Sequence, residues 1–196
     1  HTLTHYMGQR GEYYYETETY TENGESKTRR VRKTKWIPAS GSVKNKFDDL
    51  LVVATNNLPV AIIDALEPWD LNELTPYEDA FLAGFKSQAY SVNLREGFTS
   101  AKQKMEPEID ASIRRSIGGD TQRILSKDSD YFDVTFKHIL LPLWISAYRF
   151  HQKVYRFMVN GRTGEVKGER PWSWVKIGLL ILVIALVVGL FLYFKQ

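Results

Sequence analysis

The sequence predicts an α+β fold: antiparallel β hairpins and a meander packed with amphipathic helices, followed by one C-terminal transmembrane helix. Three observations carry this reading. Strand-like alternation around turn signals occupies both ends of the polar part of the chain, a 3.6-residue apolar period occupies its middle, and an uncharged apolar run closes it. The expected organisation is a soluble α+β domain over 1–170, comprising an N-terminal hairpin over 12–36, a helical middle over 47–118 and a C-terminal β meander over 131–168. A transmembrane helix follows over 175–195.

The hairpin rests on Glu12 to Thr21, where Thr17, Thr19 and Thr21 share one face and acidic residues the other. Asn23-Gly24 supplies the turn, because both residues accept positive φ. The return strand to Trp36 is basic: Lys27, Arg29, Arg30, Arg32, Lys33 and Lys35. Antiparallel pairing sets it against Glu12, Glu16, Glu18 and Glu22, and cross-strand ion pairs contribute ~0.2–1 kcal/mol each. The same six cations also suit an anionic partner or lipid surface, and the sequence leaves both roles open. Pro38-Ala39-Ser40-Gly41 then reads as the end of the strand.

Helical signals follow. Short helices are expected between Phe47 and Ala65, with Asp48-Asp49 suited to a first turn. Thr75-Pro76, with Glu78 three residues on, marks another helix start. Leu94 to Ile117 is the clearest soluble helix. Leu94, Phe98, Ala101, Met105, Ile109, Ile113 and Ile117 recur at three- or four-residue spacing and make a core face. Pro107 predicts a kink or break, and Gly118-Gly119 a left-handed stop. From Tyr131 the period returns to two. Asp133 to Leu141 and Trp144 to Phe150 read as strand, with Pro142 at an edge or bulge, and Val154 to Val159 and Glu165 to Gly168 complete a three-stranded antiparallel meander.

Ile177 to Phe194 holds no charge and no proline. At ~1.5 Å per residue this run spans ~27 Å, close to a ~30 Å hydrocarbon core. Arg170, Trp172, Trp174, Lys176, Tyr193 and Lys195 fall where membrane-interface anchors are expected. The excess of Lys and Arg before the run places the soluble domain in the cytoplasm of a single-pass cell-membrane protein. The chain opens on His1 rather than Met, which reads as a fragment whose true start lies upstream.

Composition narrows the chemistry. The 196 residues carry a net charge of +3, which by itself names no nucleic-acid or lipid partner, and no cysteine, which excludes disulfides, thiolate metal sites and cysteine nucleophiles. Of the four histidines only His1 and His5 stand at ligand spacing, in a segment of strand-like composition. Asn160-Gly161-Arg162-Thr163-Gly164 lacks the strand-to-helix setting and the Lys-Ser/Thr of a P-loop, and reads as a hairpin turn. No Gly-x-Ser-x-Gly elbow occurs. No catalytic residues, cofactor-binding residues or metal ligands are therefore assigned.

Longer strings carry a resemblance. Phe136 to Trp144, Ala147 to Phe150, Lys153 to Phe157, Val159 to Val166 and Gly168 to Pro171 form one set. Gly11 to Tyr14, Trp36, Pro38 to Gly41, Phe47 to Asp49 and Leu66 to Asp70 form another. Over nearly the whole chain these strings resemble the bacterial TFIIB-type zinc-ribbon membrane proteins, often labelled primosomal helicase-like. The resemblance implies an N-terminal cysteine zinc ribbon, absent from these residues, so zinc belongs only to a missing upstream region. It also implies membrane-stress systems with SPFH-domain (flotillin-like) or phage-shock-protein-A-like partners.

The expected function is a non-enzymatic adaptor or scaffold, anchored in the lipid bilayer, that docks partner proteins at the cytoplasmic membrane face. Self-association is left open. The alternative, ranked below it, is a nucleic-acid-binding module acting through the basic strand 27–35.

Overall fold

Thr2, Thr4 and Tyr6 alternate with His5 and Met7, and this period of two continues through the tyrosines and threonines beyond. It drives a strand far longer than the hairpin expected from residue 12. The computed structural model describes residues 1–22, 24–171 and 173–195, apart from the side chains of 22, 174, 175, 189, 193 and 195. Strand β1 runs over Thr2–Glu22 and pairs antiparallel, without a break in register, with β2 over Glu25–Asn45. Gly24, at φ 83°, lies in the tight turn between them. Pro38 does not end β2. It stands opposite Gln9 in a strand at the sheet edge, where a residue lacking an N–H is tolerated.

The chain divides into two units, His1–Asn56 with Pro76–Ile139, and Asn57–Thr75 with Leu140–Gln196. In the first, β3 over Thr121–Tyr131 pairs with the first half of β1, giving the strand order β2-β1-β3. The register of β3 shifts opposite Met7 and Gly8, leaving Leu125 as the extra residue of a bulge. Helix α2, Leu94–Ile117, covers one face of this sheet. Its start is a complete capping box: the Asn93 side chain accepts from the Glu96 amide at 2.9 Å, and the Glu96 carboxylate accepts from the Asn93 amide at 3.3 Å. Gly118, at φ 66°, ends it.

The heptad-like face of α2 is the core. Ala101, Met105, Ile109, Ile113 and Ile117 are buried against Tyr6, with Ala39, Val43, Ile124 and Tyr131 around them. Tyr6 bonds its hydroxyl to Ser116 at 2.8 Å, and Asn45 donates to Ser112 at 2.7 Å. Lys127 of β3 reaches Glu106 at 2.9 Å and also Asp110 on the helix flank. Pro107 lies within an unbroken α2, at an exposed position where a lost helical hydrogen bond is met by solvent.

In the second unit, β4 over Leu143–Phe150, β5 over Lys153–Asn160 and β6 over Val166–Gly168 form the antiparallel meander β4-β5-β6. Leu66, just after the five-residue helix α1 (Val60–Asp64), is fully buried, as are Met158 and Asn160. Asn160 pins the region. Its amide donates to the Leu66 carbonyl at 3.0 Å, while its side-chain oxygen accepts from the Arg162 and Thr163 amides. The glycine-rich segment 160–164 is thus a hairpin turn held by its first residue.

Several expectations need correction. The fold is mostly antiparallel sheet with few helices, not hairpins packed with a helical middle. Between Phe47 and Val92 the described backbone forms only α1 and 3₁₀ turns at Leu71–Glu73 and Asp79–Leu82. Pro59, Pro68 and Pro76 divide this stretch into pieces too short to sustain helix on their own. The strand expected over Asp133 to Leu141 is not formed.

The transmembrane helix expected over 175–195 is also corrected. Helix α3 spans Trp174–Lys195, but among the described residues no helix is long and apolar enough to cross a membrane. A hydrocarbon core requires ~20 consecutive apolar residues, and the described side chains of α3 do not supply an unbroken run of that length. The single-pass cell-membrane localisation, the cytoplasmic placement derived from it and the lipid anchoring of the adaptor lose their basis with it.

Candidate ligand-binding ribbon

Strand β3 pairs only with Thr2 to Gly11 of β1, so the hairpin beyond Gly11 continues as a two-stranded ribbon. The junction is sealed by Asp120. Its amide donates to the Gly11 carbonyl at 2.9 Å, and its carboxylate accepts from the Tyr13 amide at 2.7 Å, closing the first rung that β3 leaves open. About ten rungs extend past that point, ~34 Å of ladder at ~3.4 Å per residue.

Directly opposed residues of an antiparallel pair share a face. The register therefore sorts the basic strand in two. Lys27, Arg29, Lys33 and Lys35 face the same side as Glu12, Glu16 and Glu18. There Lys33 meets Glu16 at 2.5 Å and Glu18 at 3.3 Å, and Arg29 meets Glu18 at 3.2 Å. Hydrogen bonds from Lys33 and Arg29 hold the Glu18 carboxyl below its ordinary pKa. Those to Glu16 and Glu18 raise the Lys33 ammonium above its own. Charge on this face is largely neutralised within the ribbon.

Arg30 and Arg32 occupy the opposite face, with Tyr13, Tyr15 and the threonines. The Arg30 guanidinium lies over the Tyr15 ring at 4.5 Å, and that of Arg32 over Tyr13 at 4.3 Å. The face continues onto the three-stranded sheet, on the side away from α2. There Arg123 of β3 lies over the Trp36 indole at 3.8 Å. Gly11 makes that stack possible. A Cβ at this position would stand 3.0 Å from Trp36 Cζ3 and 2.9 Å from Thr34 Cγ2, and would collide with the Thr121 methyl. From Gln9 to Thr21, from Ser26 to Pro38 and from Thr121 to Ser126, no described residue facing this side is Asp or Glu.

The predicted basic residues are thus brought onto one strand but not onto one surface. Trp36, Tyr13, Tyr15 and Arg123 were not singled out as site residues. The available signal was the two-residue Asn-Gly turn, which fixes the register and hence the face of every residue. Of the expected membrane-interface anchors, Arg170 and Lys176 are exposed, and Trp172, Trp174, Tyr193 and Lys195 lie outside the described residues. Among the described residues, no group of three or more His, Cys, Asp or Glu is placed to hold a metal ion.

At 32% identity over 127 residues, the chain is similar to a protein of Bacillus subtilis (strain 168) named "Uncharacterized protein YdjG". The match takes in 64% of this chain and 37% of that protein, so the chain spans little more than a third of its relative's length. No family model and no solved structure matches the chain. The zinc-ribbon description expected from the sequence therefore has no support in a family match.

Proposed function

We propose that the chain is a non-enzymatic binding module, an adaptor that docks its partner on the β1–β2 ribbon. One observation carries the reading. The ribbon leaves the packed sheet at Gly11 and Trp36 and holds its side chains exposed on both faces, with Tyr13, Tyr14, Tyr15 and Tyr20 each more than a third exposed. Aromatic and arginine side chains held in place at a surface are the groups that dominate binding interfaces. The α2 core lies wholly at the β3 end of the sheet, so the ribbon serves the fold little and is free to serve a partner.

The test replaces residues 14–33 by Asn-Gly, which preserves the pairing of Tyr13 with Thr34 and leaves the α2 core untouched. Affinity capture with the parent and shortened chains is compared quantitatively. The expected result is loss of a partner held by the parent; an unchanged set of captured partners overturns the proposal.

A further inference from the structure

We propose that the carboxylate-free face of the ribbon binds single-stranded nucleic acid, with Arg30, Arg32 and Arg123 as its contact residues; this rests on the ribbon being the docking element. Each of the three guanidiniums lies on an aromatic ring, at 4.5, 4.3 and 3.8 Å from its centroid. One planar face of the cation is thereby covered and the other is offered outward. A guanidinium plane is a stacking surface for an unpaired base, and its N–H groups reach the phosphates on either side. Arg30 and Arg32 stand two residues apart on one strand, ~7 Å by strand geometry. Threonine hydroxyls around them add donors for phosphate and sugar.

Charge complementarity selects a polyanion. The same number of cations on the opposite face is occupied by Glu16 and Glu18, whereas this face holds no described carboxylate between Gln9 and Thr21. The flattened arginines select single strands over duplex. Reading a major groove requires side chains extended ~8.5 Å toward base edges, and these are folded onto the ribbon instead. A strand laid along the ribbon follows an open surface without entering a groove, as sequence-tolerant single-strand binders do.

Fluorescence anisotropy with labelled oligo-dT and oligo-U, and with a duplex of equal length, tests the proposal on the full chain. Three phosphate contacts predict a slope of log K against log salt of about −2 for single strands. Arg30→Ala/Arg32→Ala/Arg123→Ala is expected to weaken binding at least about tenfold, as loss of stacked contacts does. The triple lysine variant at these positions should keep the salt slope and still lose affinity, because charge survives and the planar stack does not. Arg29→Gln/Lys33→Gln/Lys35→Gln removes as many charges from the opposite face and should change affinity less than about threefold, the scale of screened surface charge. Circular dichroism checks that all variants keep the sheet. No binding, tighter binding to duplex, or an equal loss from the opposite-face variant overturns the proposal. If oligonucleotides fail to bind while ribbon shortening still abolishes partner capture, the nucleic-acid assignment falls and the docking role stands. If shortening changes neither assay, both fall.

Discussion

Gly11→Ala is the most informative single substitution in this chain. The new methyl would point toward the open face of the sheet, between Thr34, Trp36 and Thr121, at 2.9 and 3.0 Å from the first two and closer still to the third. Two of these neighbours are β-branched and restricted at χ1, and the third is a rigid indole held under Arg123. Relief must come from moving Trp36. Overpacking of this kind costs ~1–3 kcal/mol. Replacing Gly by Ala returns ~0.4–1 kcal/mol by restricting the unfolded chain. The net expectation is a loss of ~1–2 kcal/mol, or roughly 4–8 °C in melting temperature for a unit of this size.

Thermal unfolding followed by circular dichroism measures that loss, and a double-mutant cycle locates it. In a Trp36→Ala background the methyl has room, so Gly11→Ala should become neutral or mildly stabilising, with a coupling of ~1 kcal/mol or more. A Gly11→Ala protein as stable as its parent, or a cost unchanged by removal of the indole, would refute the account of the Arg123–Trp36 stack.

Other outcomes follow from the same contacts. Ile113→Ala, at a fully buried position of α2, should cost ~2–5 kcal/mol by thermal or denaturant unfolding, the range for aliphatic truncation in a closed core. Asn160→Ala leaves the Leu66 carbonyl and the Arg162 and Thr163 amides without their partner. It should destabilise the meander by ~2 kcal/mol or more, seen as faster amide exchange at Arg162 and Thr163. Partial burial works against the charge of Lys127, yet hydrogen bonds from Asp110 and Glu106 outweigh it and raise its pKa above the ordinary 10.5. A raised folded-state pKa gives stability that is full below 10.5 and lost as pH rises through the folded value. The parent should therefore lose stability above pH 10.5 more steeply than Lys127→Met.

How far the residues announce this fold depends on whether each signal is local. Helix α2 was legible to its ends, because Asn93 and Glu96 box its start, Gly118 stops it and the Ala101–Ile117 stripe names its buried face. The meander was legible from its turns. Strand β3 was not, since the bulge at Leu125 reverses which alternate residues face α2 and erases the period of two. The first half of β1 was hidden by Gly8 and Gly11, poor strand formers whose use is close packing: a Cβ on Gly8 would meet Ile117 Cδ1 at 2.8 Å. In the candidate site the cations were evident, but their division between two faces needed the register. Ion pairing of Glu16 and Glu18 with Lys33 and Arg29 on one face leaves Arg30 and Arg32 to the aromatics on the other.

The place of β1 in the sheet also sets an order of events at birth. It is the first strand made and the middle strand of three, and its partners across the β3 side, such as Ser129 for Thr4, lie 125 residues later in the chain. The β1–β2 hairpin can close within microseconds of its synthesis, but at ~5–20 residues per second its third strand arrives roughly 5–25 s later. Throughout that interval the inner margin of β1 is a row of unpaired amides, open to any passing strand. Gly8 and Gly11 sit in that row, where residues with little appetite for extended pairing make it a poor template until Thr121 to Tyr131 emerge to cover it.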